Sequence, residues 1–366
     1  MDTTQPLLGE MRVTAGALDR AVGNDSGTND DSIVHAVGDE LVVLSTSSAV
    51  GVYTLPAAGL TQLIALSPLS TSLQALADDE TDSQCEPSAF DASGTATLGE
   101  VVAVVMVGTV PGTQQPCRAV RLLRLVGTAP TTVAVLGTLV STSSSFATSV
   151  ALASPADEVA PVLTIGTPRE CRVHPTPSVP AEGTFTTTPC AADAAPAGGA
   201  NVSVYSVGSA SVSQLAVLPA PGNASAAFGS HVAASGSFVV VGDPASGSLA
   251  QGQIAVYHSA DSHSVSALLC VVPGVTAGGG LGYSVAVTAA NVGGALLSGN
   301  STSGHPRNDG TAIVVAGSPG GNLVAVIRVN ASASVDSAAR PADVCKVVAV
   351  VRASPHFQAS STQASA

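Results

Sequence analysis

One short pattern recurs along this chain, and it limits the possible folds more than any other feature. FGSHVAASGSFVVVGDPASGSLAQGQIAVYHS begins at Phe228, and LGYSVAVTAANVGG begins at Leu281 and resumes as GTAIVVAGSPGGNLVAVIRV from Gly310. Each copy reads as an aromatic residue or Leu, a small residue, a Val-Ala pair and a valine run ending in Gly-x-Pro. A Gly-rich turn and an alternating strand follow. The same order runs upstream from Ser145 and from Phe90, with a first unit from Leu8 that continues through DDSIVHAVG and GVYTLP. Tyr53, Tyr205 and Tyr257 fall at matching places, and the chain has only four tyrosines. The units lie at about 8–71, 88–141, 145–222, 226–275 and 280–352, with 353–366 expected to be a disordered tail.

Each unit supplies three or four short strands of period-two alternation bounded by Gly and Pro turns. A sheet that small cannot hide both of its faces alone, whereas identical sheets set side by side around an axis cover one another. Composition agrees. The chain has 37 Gly, 23 Pro and no Trp, with only ten Phe and Tyr together, so Val, Ala, Leu and Ile must fill the core. Small β-branched residues pack well on pleated sheets, and frequent Gly and Pro break long helices. The expected class is all-β, a β-propeller of five recognisable units, or up to seven blades if others are degenerate. The whole chain forms one domain in this reading.

Charge narrows the partners. The net charge is −13, from 25 acidic and 12 basic residues, and Lys346 is the single lysine. No basic stripe is present to neutralise phosphates, which disfavours nucleic acid, and an anionic membrane surface would repel the chain. No apolar run reaches the roughly 18 residues that a membrane helix needs. The start, MDTTQPLLGEM, has neither a basic region nor an apolar core of the signal-peptide kind. The chain therefore reads as cytoplasmic or as part of a larger extracellular or cell-surface protein.

Six cysteines permit three disulfides among fifteen pairings. Cys171 and Cys190 bracket a Pro/Thr-rich insert and form the best local pair, ahead of Cys85 with Cys117. A zinc site using Cys171, His174 and Cys190 lacks a fourth ligand. Glycosylation sequons occur at Asn24, Asn201, Asn223, Asn300 and Asn330. His258 and His263 read as exposed loop residues without a carboxylate partner.

The pattern carried by Phe228, Gly229, Val232, Ala233, Val239, Val240, Val241, Gly242, Pro244, Gly252 and Tyr257 resembles the FG-GAP repeat of the integrin α-subunit head. A second copy keeps Leu281, Gly282, Val285, Ala286, Val314, Val315, Gly317, Pro319 and Gly321, and a third keeps Phe146, Val150, Ala151, Gly166 and Pro168. The resemblance implies a propeller of about seven blades, some bearing a calcium loop between the first two strands. Calcium needs six to eight hard oxygen ligands. Asp19, Asn24, Asp25, Asn29 and Asp31 are the candidate set, with extra residues after Asp19 relative to the family loop. The competing reading is an acidic polar turn.

Catalytic motifs are absent: there is no G-x-S-x-G elbow, no H-E-x-x-H and no phosphate-binding glycine loop. The expected function is a non-catalytic adhesion or recognition module, binding protein or glycan through loops on one face, with calcium as the one cofactor in view. The rival readings are a propeller hydrolase or lyase with acids in a central cleft, and an intracellular assembly scaffold.

Overall fold

A computed structural model describes residues 85–91, 94–125, 134–154, 160–169, 200–208, 211–259, 267–289, 310–331 and 344–352 in full. It gives the backbone alone at 33–37, 41–45, 50–54, 61–66, 92–93, 126, 132–133, 170–171 and 188–189. The described residues form five four-stranded antiparallel sheets, each a meander in chain order. Blade 1 comprises β1 (Ile33–Val37), β2 (Leu41–Ser45), β3 (Val50–Thr54) and β4 (Thr61–Leu66). Blade 2 comprises β5 (Glu86–Leu98), β6 (Val101–Thr109), β7 (Pro116–Val126) and β8 (Thr132–Ser141). In blade 3, β9 (Ser149–Ala153) and β10 (Val162–Thr167) precede a small hairpin of β11 (Glu170–Cys171) and β12 (Thr188–Pro189). Strands β13 (Asn201–Val207) and β14 (Val212–Leu218) complete that blade. Blade 4 is β15 (His231–Ser235), β16 (Phe238–Asp243), β17 (Gln253–His258) and β18 (Ala267–Pro273). Blade 5 is β19 (Ser284–Ala289), β20 (Thr311–Ser318), β21 (Leu323–Asn330) and β22 (Cys345–Arg352).

The first strand of each blade packs against the first strand of the next, β1 on β5, β5 on β9, β9 on β15 and β15 on β19. First strands gathered inward and fourth strands outward define a propeller. Strand alternation explains why the sheets must sit side by side. On β6, Val101, Ala103 and Val105 join a cluster with Leu163 and Ile165 of blade 3, while Val102, Val104 and Met106 turn the other way. On β16, Val239 and Val241 pack with Val202 and Val204 of blade 3, while Phe238 and Val240 pack with Val314 and Ile327 of blade 5. The middle strands of blades 3 and 4 thus feed two seams each, and the core is shared between blades.

A recurrent irregularity fixes the equivalences between blades. In all five sheets the third and fourth strands slip register by one residue, after Val52, Leu122, Val204, Val256 and Val326. The residue left over on the fourth strand is Leu63, Leu136, Leu215, Leu269 or Val348. This is a β-bulge, which bends a strand and raises its local twist. Tyr53, Tyr205 and Tyr257 each follow that slip directly, which accounts for their matching positions in the sequence.

The bulge also orders the strands of the first sheet. Its register pairs Val43 with Val52 as Val240 pairs with Val256. Ile33–Val37 is therefore the first strand of its sheet and Leu41–Ser45 the second. The stretch from Leu8, read from sequence as the opening of this unit, lies outside the described residues, as does 353–366.

Glycines at the ends of the second strands let neighbouring blades close. A Cβ on Gly166 would lie 2.0 Å from the Gly229 carbonyl oxygen, and one on Gly242 would lie 2.1 Å from that of Gly282. Gly229 and Gly282 adopt φ of 88° and 90°, and Ala147 holds the same place before blade 3 with φ of 53°. An L-residue in that region is strained, so Gly is the natural occupant of this turn.

Candidate functional site

In a meander, connections from strand two to strand three leave at the same end as the links between blades. At that end lies a polar cluster built on Asp243, the last residue of β16. Its carboxylate accepts the Ser225 backbone N–H at 2.8 Å, the Ser225 hydroxyl, and the Gln253 amide at 3.1 Å. Gln253 in turn accepts the Asn223 amide at 2.7 Å, and the Ser246 hydroxyl donates to the Asn223 carbonyl at 3.1 Å. Ser225 and Asn223 belong to the link from blade 3 to blade 4, so a side chain at a strand end ties down the link that enters its own sheet.

Asp243 is fully buried. Burial pushes its pKa up, and the hydrogen bonds from Ser225 and Gln253 oppose that only in part. Both oxygens already have donors, so the group holds loops in place and offers no free carboxylate to a substrate. Blade 5 repeats the device with a neutral residue: the Ser318 hydroxyl, at the end of β20, donates to the Gly279 carbonyl at 2.7 Å in the preceding link.

Other polar residues also stitch blades together. Arg118 on β7 pairs with Asp91 on β5 and donates to the Ala147 carbonyl at 3.3 Å in the turn entering blade 3. The Ser149 hydroxyl accepts the Val232 N–H at 3.1 Å, and Ser235 accepts that of Ala289 at 3.0 Å, so hydroxyls link successive inner strands. The Tyr257 hydroxyl donates to the Pro219 carbonyl at 2.6 Å, and burial raises its pKa. Thr164 and Ser230 keep buried hydroxyls with no hydrogen-bond partner among the described residues.

The sequence-predicted residues divide three ways. Cys85 and Cys117 are disulfide-bonded, joining the approach to β5 to β7 within blade 2. A second disulfide, Cys270–Cys345, connects the outermost strands of blades 4 and 5. Sequence spacing gave it no preference, because its halves stand 75 residues apart; the available signal was that each falls on the last strand of its unit. The pair Cys171 and Cys190 lies outside the described residues, although the backbone of Cys171 opposes Thr188.

His258 is not a loop residue. It ends β17, half-buried, with its ring 4.8 Å from that of Phe238, and burial lowers its pKa. His263 lies outside the described residues. So do the calcium candidates Asp19, Asn24, Asp25, Asn29 and Asp31, together with the sequon at Asn300. All five calcium candidates precede the first strand of blade 1, not the connection between its first two strands. Among the sequons that are described, Asn201 and Asn330 are half-buried at strand ends, and Asn223 uses its amide on Gln253. No cluster of three or more His, Cys, Asp or Glu suited to a metal occurs among the described residues. None of their helices is long and apolar enough to cross a membrane.

The described polar groups with notable environments are therefore architectural, and most lie at seams. No family model matches this sequence, and no curated protein matches it either. Among solved structures, one similar chain is Drosophila Semaphorin 1b, extracellular domains 1–2. The identity is 12%, the TM-score 0.32, and the match covers 83% of this chain and 52% of that one. The match thus spans about half the length of that two-domain chain.

Proposed function

We propose that the chain is a non-catalytic binding module of the FG-GAP propeller kind, acting outside the cell and recognising protein or glycan through loops at one end of its blades. The observation that carries this reading is how the conspicuous polar groups are used. Asp243, Arg118, Ser149, Ser235 and Ser318 lock strands and links to one another, making a frame that carries the connecting loops. Binding residues concentrate on loops held by such a scaffold.

Two disulfides support an oxidising compartment, since such bonds are rare among cytosolic proteins. The binding end is the one carrying the strand-two-to-three connections. There the Asp243 and Ser318 devices fix the neighbouring links, and the segment 172–187 enters and leaves through the paired residues of β11 and β12. The segment 290–309, between the first two strands of blade 5, leaves from the opposite end.

The test is an array of secreted ectodomains and glycans probed with the intact chain and two variants, one shortened within 172–187 and one within 290–309. The reading expects capture of a ligand that the first variant loses and the second keeps. Equal retention by both variants, or turnover of an arrayed glycan, would overturn it.

A further inference from the structure

We propose that the outer face of blade 5 docks a second copy of this chain, taking the acidic N-terminal portion of its neighbour. The bulge register identifies one position that faces the following blade: Ala103, Thr164, Val240 and Val315 in blades 2 to 5. The first three are fully buried, whereas Val315 is 37% exposed. Cross-strand register places Ala286, Val326 and Ala349 on the same face, with Val324 and Val351 alongside. Val351 is 60% exposed. Gly317 keeps the glycine that elsewhere admits the next blade's turn, but a Cβ there would meet only its own sheet's Ser284 hydroxyl. The face is shaped to be covered.

Its charge names the occupant. Arg328 and Lys346 lie directly opposite one another on β21 and β22, both exposed. Like charges so placed repel, and no acidic residue occurs among the described residues of blade 5. Residues 1–84 hold twelve acids and two arginines, a net charge of −10 out of the chain's −13. One end of the molecule is thus apolar and basic, and the other portion of the sequence is strongly acidic. Such complementarity favours head-to-tail contact, which grows as an open series unless its rotation closes. Four strands of six to eight residues present a face of only about 500 Å². Contacts of that size are weak and transient, so association is concentration-dependent.

Lys346 provides the test, because it is the only lysine in the chain. Mixed isotope-labelled and unlabelled full-length protein is treated with a zero-length carbodiimide, and the cross-linked peptides are identified by mass. The proposal expects Lys346 joined to acidic peptides of 1–84 in mixed-isotope pairs, together with a sedimentation coefficient that rises with concentration and falls back at high salt. Arg328→Glu and, separately, Val351→Asp should each weaken association about tenfold while leaving the circular dichroism unchanged. Both positions are exposed, so the two variants guard against a folding defect in either. Cross-links confined to single chains would mean that the molecule covers this face itself. That result, an absence of concentration dependence, or association indifferent to both variants would overturn the proposal.

Discussion

Blades 4 and 5 are built from the best-matched copies of the repeat, yet they live in different surroundings. Every residue of β16 is buried, because blades 3 and 5 press on both of its faces. On β20 the pattern alternates, with residues toward blade 4 hidden and those on the other side half-buried, or exposed at Val315. Nearly the same sequence, FVVVG against IVVAG, thus gives a doubly covered strand in one place and a singly covered one in the other. A strand's apolar run therefore records how many neighbours it was made for, and β20 carries more than its described surroundings use.

The contrast can be broken most forcefully at the bond that joins the two blades. Replacing Cys270 and Cys345 together with Ser removes a 75-residue loop closure and should cost about 4 kcal/mol in denaturant unfolding. Blade 5 should then melt before the rest, as a separate transition. Next comes Gly242→Ala, which drives a methyl into the backbone of the Gly282 turn and should cost about 3 kcal/mol. Gly317→Ala in blade 5 meets only a serine hydroxyl and should cost less than about 1 kcal/mol. Val240→Ala should lose about 2 kcal/mol and Val315→Ala about 0.5 kcal/mol, by the same measurement. Equal losses at the paired positions would mean that the two faces are covered alike.

The smallest effect is a pH dependence that blade 4 has and blade 5 lacks. Burial raises the pKa of Asp243 above its unfolded value, so the folded chain holds that proton more tightly. The associated stability is complete below the ordinary carboxylate range and is lost as pH rises through the raised value. Asp243→Asn should flatten the stability profile across that window. Ser318→Ala should leave its shape unchanged, because the hydroxyl does not titrate.

Much of this architecture was legible in the residues. The valine runs, the Gly-x-Pro ends and the three tyrosines located the sheets, because each answers to a local rule of alternation, turn geometry or close approach. The all-β class followed from the same rules. What escaped was set by relations between blades. The pairing of Cys270 with Cys345 depends on which outer strands become neighbours, and distance along the chain favours other partners. The burial of His258 depends on Phe238 across the sheet, invisible to a reading that saw two histidines near a turn. Which strand opens the sheet of blade 1 was not legible, because short valine-rich runs such as Ile33–Val37 and Leu41–Ser45 look alike until a register slip tells them apart. The candidate site was least legible of all: Asp243 stands out in sequence only as the middle of Gly-Asp-Pro, and its donors come from Ser225 in the preceding link and Gln253 on the following strand.

The surplus residue on every fourth strand has a geometric consequence. An extra residue bends the strand that carries it and steepens its twist, so every sheet turns most sharply at its outermost strand. Side chains before and after the slip are thereby re-aimed in the same way in all five sheets, whatever links and inserts each one bears.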